Sequence, residues 1–198
     1  MPETSGNHQE YVSTGKPLAT GAIFRMTTPD GSTQHPWPSA LTDLAAANCV
    51  GFISEDGVEN GIETSTEDKK VWGGNIVMSA LDEFKETYKF TMVETSPIVM
   101  KTLWGDSNVT GNDFTDMVVS HGPDGFNTVA TYVIVTLYTD RALEMHVIPK
   151  GQLNALDGVN YNDTDLVGYP VTISALAGAY SDNPNATSRH YFFEQTQS

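Results

Sequence analysis

Asp106-Ser107-Asn108-Val109-Thr110-Gly111 sets oxygen-bearing side chains at alternate positions ahead of a glycine, the opening half of a calcium-binding loop. Such a loop closes with a bidentate carboxylate at its twelfth position. Met117 stands there and Asp116 comes one residue early, so the oxygen count falls short. The segment reads as a turn built from Asp, Asn and Gly. Glu144 and His146, two apart on a strand-like stretch, have the spacing of a ligand pair, but a surface or hydrogen-bonded histidine is the simpler account. His8, His35, His121 and His190 are scattered, and none has another histidine at i+2 or i+4. Paired carboxylates say little in a chain with 25 acids, and no aromatic cluster accompanies them. The motifs G-x-S-x-G, G-x-G-x-x-G, H-E-x-x-H, C-x-x-C and the P-loop do not occur. No enzymatic activity, cofactor or metal is expected.

The totals narrow the classes further. Cys49 is the single cysteine, which excludes an internal disulfide and fits a small buried residue. Net charge is −15, from 25 acids and 10 bases, and no basic patch interleaved with aromatics exists. Such a surface does not hold DNA by counterion release, but its repulsion suits a channel through which DNA slides. No apolar run approaches the ~18 residues of a membrane span, and the first ten residues have no signal-peptide core. An intracellular product with no membrane partner is expected.

Positioning elements follow from periodicity. Residues 1–18 are polar and aperiodic and read as an N-terminal arm. Ala22, Phe24 and Met26 alternate with Ile23, Arg25 and Thr27, which is a strand. A long loop is expected over about 29–74, punctuated by Pro29-Asp30-Gly31 and Pro36-Trp37-Pro38, with a turn or two of helix at 41–47. Within it, Glu55, Asp56, Glu59, Glu63, Glu67 and Asp68 occur among Gly, Ser, Thr and Asn without an intervening base. Ordering such a segment costs ~1–2 kcal/mol per residue in backbone entropy, so a partner surface, most simply a second copy, is expected to order it.

Tyr88, Phe90 and Met92 alternate with Thr87, Lys89 and Thr91 in a half-buried strand starting at Glu86. Ser96-Pro97 and Gly105 bracket one short helix whose apolar stripe is Ile98, Val99, Met100, Leu103 and Trp104. Residues 128–139 are apolar on both faces and predict a strand covered on both sides. A turn at Thr139-Asp140-Arg141 leads to another strand at 143–148. The strand at 167–174 contains Pro170 and is placed at an edge or bulge, and 190–193 is the last strand before a polar tail. The expectation is mainly β. It is an antiparallel sandwich or partly closed barrel over 19–180, with one flanking helix and a C-terminal strand and tail at 181–198.

Several segments, in chain order, resemble a known family. Gly51-Phe52-Ile53-Ser54-Glu55-Asp56-Gly57-Val58 resembles a "GY-x-S/T-EDG-V" signature, with Phe52 in place of the usual tyrosine. Val71-Trp72-Gly73-Gly74 resembles the Trp-Gly element that follows it. Phe90-Thr91-Met92-Val93-Glu94-Thr95 resembles an "F-T-x-x-E-T" strand before a short helix that ends at Trp104-Gly105. Gly21-Ala22-Ile23-Phe24 and Val167 to Leu176 resemble the first strand and a late "Y-P-V-T-L-x-A" strand. Together, over about 20–178, these segments are similar to the major tail protein, or tail tube protein, of long-tailed non-contractile phages (siphoviruses). The N-terminal arm and the alanine-rich stretch before Cys49 depart from that pattern.

The resemblance implies a structural virion protein. Its copies join sheet edge to sheet edge into hexameric rings that stack into a tube around a tape measure protein. Terminator and baseplate proteins close the ends, and viral DNA passes through the lumen. It also implies assembly in the host cytoplasm, and it marks Gly51, Phe52, Glu55, Asp56, Gly57, Trp72 and Gly73 as candidate inter-subunit residues. Alternatives are a tail terminator or baseplate protein, a secretion-system tube of the same fold, and a carbohydrate-binding sandwich with Trp37, Trp72 and Trp104 as its platform.

Overall fold

Period-two alternation recurs along the chain, and the strands that it produces join into one large antiparallel sheet. The structure, a computed structural model, describes residues 14–17, 21–27, 37–138 and 142–194. Its strands are β1 (Gly15–Pro17), β2 (Ile23–Thr27), β3 (Ile53–Lys70), β4 (Ile76–Met92), β5 (Val109–Thr110), β6 (Val118–Val119), β7 (Val129–Tyr138), β8 (Ala142–Leu156), β9 (Tyr169–Ala175) and β10 (Arg189–Glu194). The helices are α1 (Pro97–Trp104) and a single turn, α2 (Asp124–Asn127). The main sheet runs β1-β7-β8-β9-β4-β3, with β2 also on β7 and β10 also on β8. β5 and β6 form a separate small ribbon. Every pairing is antiparallel, so the fold is mainly β and sandwich-like.

The sheet curls around its principal core. Tyr88, Phe90, Tyr132, Ile148 and Ile173 project inward, and Val99, Met100 and Leu103 of α1 pack against them. On the other side of β7 and β8, Val133, Val135, Met145 and Val147 form a second core with Phe24, covered by Trp37, Leu41, Leu44 and Phe193. The expectation that both faces of 128–139 are covered therefore holds. The ends of the sheet approach each other without pairing into a closed barrel. Val50 N–H donates to Ile23 O and Val93 N–H to Phe52 O, each at 3.0 Å, so one short segment spans the gap.

Helix α1 begins and ends where its local signals place it. Pro97 occupies the first turn, and Gly105 (φ 88°) supplies the left-handed residue that ends it. The Ser96 side chain caps nothing; its oxygen is buried without a partner.

Several expectations need correction. The stretch from Ile53 to Lys70 is a strand, not a loop, and β4 starts at Ile76 rather than Glu86. Two physical causes act together. Backbone groups on the inner edge of β3 are satisfied by β4, and its acids meet lysines across the ladder, Glu59 opposite Lys89 and Glu63 opposite Lys85. Residues 41–48 hold two single 3₁₀ turns, Leu41–Asp43 and Ala46–Asn48, instead of an α-helical turn. Pro170 does not place β9 at an edge, because β9 pairs with both β4 and β8. Its missing N–H falls where β8 has already ended; Asp157 N–H donates to Pro170 O just beyond Leu156. Part of the expected N-terminal arm, Gly15–Pro17, belongs to the sheet. Residues 1–13, the turns at 29–31 and 139–141, and Pro36 lie outside the described residues.

Candidate assembly surface

β3 and β4 outrun the sheet that carries them. β9 covers β4 only from Met92 to Glu86, so from Glu86 onward the hairpin is two strands with no third among the described residues. Roughly nine residue pairs at ~3.3 Å per residue make an arm of about 30 Å. A lone two-stranded ribbon is marginal in water.

Its two faces differ. Register pairs Val58 with Phe90, Asn60 with Tyr88, Ile62 with Glu86, Thr64 with Phe84 and Thr66 with Leu81. These share the face that is core in the body of the domain, so the core side continues into the arm as Ile62, Phe84 and Leu81. There they are 58%, 47% and 63% exposed. A register irregularity between Ser65 and Thr66 leaves Asp82 unpaired and keeps Leu81 on the apolar face. Glu59, Glu63, Glu67, Lys85 and Lys89 occupy the opposite face, with Lys85 Nζ 3.6 Å from Glu63. The arm is an amphipathic ribbon whose apolar side carries no other element among the described residues.

At its tip, Val71 N–H donates to Asn75 O and Gly74 N–H to Val71 O. Gly73 (φ 111°) and Gly74 (φ 87°) take the left-handed conformations that this turn requires. Trp72 stands fully exposed on it. Ile76, Val77 and Met78 add further exposed apolar surface beside the tip.

The inner end of the β3–β4 hairpin, within the main sheet, holds the remaining candidates. Gly51 (φ 84°) lies against Glu94, where an added Cβ would sit 2.1 Å from the carboxyl carbon. Phe52 N–H donates to Glu94 Oε1 at 2.8 Å, and the Phe52 ring is exposed. Two of the quoted sequence motifs thus meet in space: the glycine of one admits the carboxylate of the other. Ala at position 51 would combine a left-handed backbone with this clash, so Gly51→Ala is expected to destabilise the fold by roughly 1–3 kcal/mol in urea unfolding. Unchanged stability would show that Glu94 moves freely.

Glu55, Asp56 and Gly57 (φ 72°) lie in the irregular stretch between Ile53 and Val58, with both acids exposed. They face β1 and β7 across a cleft of about 430 Å³, also lined by Lys16, Pro17 and Thr136. Gly51, Phe52, Glu55, Asp56 and Gly57 therefore gather at the inner end of the β3–β4 hairpin, beside Met92 and Glu94 within the sheet, and Trp72 and Gly73 lie at the tip of the arm.

Other candidates resolve differently. Asp106 is engaged by Arg25 through two hydrogen bonds, 3.1 Å and 2.7 Å, and Asn108 donates to Trp104 O and Asp124 Oδ2. Asp116 caps the backbone of Asn112 and Asp113. The half-loop at 106–111 is thus a structural turn held by side-chain bonds. The three tryptophans make no common platform. Trp37 is edge-on to Tyr180 over the second core, Trp104 stacks on His121 at 3.8 Å, and Trp72 is at the arm tip.

Sequence reasoning missed Ile62, Leu81 and Phe84, whose signal is a period-two pattern half-hidden by Asp82. It also treated the histidines as scattered, whereas the β8–β10 ladder sets His190 directly opposite His146. No protein-family model matches this chain, and no curated protein matches it significantly.

Proposed function

We propose that this protein is a structural subunit that polymerises with its own copies, as the tail tube subunit of a long non-contractile phage tail does, in stacked rings around a DNA channel. The observation that carries the proposal is the unpartnered apolar face of the β3–β4 arm. An amphipathic ribbon of about 30 Å with no third strand is poorly stabilised alone, and burial of Ile62, Leu81 and Phe84 on a neighbouring copy supplies what it lacks. Exposed strands at both ends of the sheet offer a second, backbone-mediated way for copies to join. Net charge of −15 suits a lumen that keeps DNA off its wall, over a Debye length of ~8 Å at physiological salt.

Negative-stain imaging of concentrated protein tests this, with rings or tubes as the expected result. A monodisperse monomer at every concentration would overturn it. Hydrogen exchange supplies a second measurement: amides of 60–70 and 76–85 exchange quickly in monomer and slowly in polymer. Equal protection in both states would count against the arm as the contact.

Glu55 and Asp56 are exposed at the inner end of the β3–β4 hairpin, so charge reversal there acts on association and not on folding. Glu55→Lys with Asp56→Lys is expected to change monomer stability by less than ~0.5 kcal/mol while reducing polymer yield. Sedimentation of wild-type-like polymer from this variant would remove both residues from the contact.

A further inference from the structure

His146 and His190 face each other across the β8–β10 ladder, so both side chains leave the sheet on one face. Their rings lie 3.7 Å apart, centroid to centroid. Glu144, two residues before His146, stands on the same face. Its Oε1 is 2.8 Å from His146 Nε2 and 2.8 Å from His190 Nδ1. Its other oxygen accepts a hydrogen bond from the Tyr138 hydroxyl, which fixes the carboxylate so that Oε1 is presented to both rings. The three ligating atoms lie within 4.8 Å of one another.

The surroundings favour a cation. Glu86 projects from β4 nearby, held by Tyr88, Asn60, Thr187 and Ser188, and Tyr88 packs edge-on against the His146 ring. Among the described residues neither Glu86 nor Glu144 is ion-paired with a lysine or arginine. His146 Nδ1 is buried with no partner among the described residues, so the ring's polar contact is made at Nε2, toward the cluster. His190 is half-exposed, which leaves a route for an ion and room for water ligands.

The geometry points to a site for a divalent transition-metal ion, zinc being the type case, formed by Glu144, His146 and His190. Two imidazole nitrogens and one carboxylate oxygen are a donor set for such ions. With metal–ligand bonds of ~2.1 Å, each of the two Glu144–histidine pairs, 2.8 Å apart, subtends roughly 85° at the ion, the angle between neighbouring ligands of a five- or six-coordinate centre. A tetrahedral centre needs them ~3.4 Å apart, a shift of a few tenths of an ångström for each side chain. Because His190 lies on the last described strand and the other two ligands on β8, the ion clasps that strand to the sheet. All three ligands come from one chain, so the site is independent of polymerisation.

The test uses tag-free protein stripped with EDTA and titrated with zinc chloride by calorimetry, with far-UV circular dichroism confirming that each variant is folded. Wild type is expected to bind one ion per chain. His190→Ala and His146→Ala should each bind at least ~10-fold more weakly, and His121→Ala as wild type does. Zinc should slow hydrogen exchange across 189–194 in wild type and not in His190→Ala. The absence of saturable binding by wild type, or equal binding by wild type and folded His190→Ala, would overturn the site.

Discussion

Replacing Ile62, Leu81 and Phe84 together with lysine is expected to abolish polymerisation while leaving a folded monomer. The three side chains share one face of the β3–β4 ribbon and contact no core in the single chain; each is about half or more exposed. Their removal therefore costs the monomer little. Full burial of such a side chain is worth roughly 1.5–3 kcal/mol, and each is already about half buried in the single chain, so the triple variant forfeits about 2–5 kcal/mol at every contact that the arm makes. Each 1.4 kcal/mol is about tenfold, so association at each contact falls by a factor on the order of 10² or more. Sedimentation velocity measures this directly, with wild-type protein in large species and the variant at the monomer position. Thermal unfolding of the two monomers should differ by only a few degrees. A variant that still assembles would show that the apolar face is not the contact, and attention would move to the exposed sheet edges.

The arm also marks where sequence reasoning stops. Acids at 59, 63 and 67 with Gly61 and Ser65 between them are one face of a strand, and Val58, Asn60 and Ile62 begin the other. Low apolar content hid that period, because the usual sign of a strand is burial, and this strand is at most half-buried, and only in its first half. Its partner was legible from Glu86 on, where β9 and the core impose alternation, and lost before it, where Asp82 breaks the register. Helix α1 was fully legible because its signals, Pro97 and Gly105, are local. So were the two-faced apolar pattern of β7 and the last strand. Contacts set by topology were not. Nothing in the spacing of Glu144, His146 and His190 announces that β10 returns to β8, and nothing near Asp106 announces Arg25.

That ion pair carries the largest expected effect on stability. Arg25 is 1% exposed on β2, and its guanidinium meets the Asp106 carboxylate through two parallel bonds, tying β2 to the turn that follows α1. Burial disfavours the charged guanidinium most, but the bond to Asp106, the Asp106 charge and the neighbouring Tyr132 together raise its pKa; the same bond holds the Asp106 carboxyl below its ordinary value of 3.8. Asp106→Ala strands a buried charge, a loss of about 3–5 kcal/mol that lowers the melting temperature by roughly 6–20 °C. Adding Arg25→Met removes the stranded charge and should recover most of the loss, since an apolar chain of similar volume fills the same space. A depressed carboxyl pKa contributes stability that is fully present above the unfolded value and lost as pH falls through the folded one. Wild type and Asp106→Ala should therefore differ most above pH 3.8 and converge below it as the carboxylate is protonated. Urea unfolding of the two single variants and the double variant, at neutral pH and in acid, measures the coupling and its pH dependence together. A single Asp106→Ala variant as stable as wild type at neutral pH would mean that water replaces the carboxylate, and that β2 is held by its apolar neighbours alone.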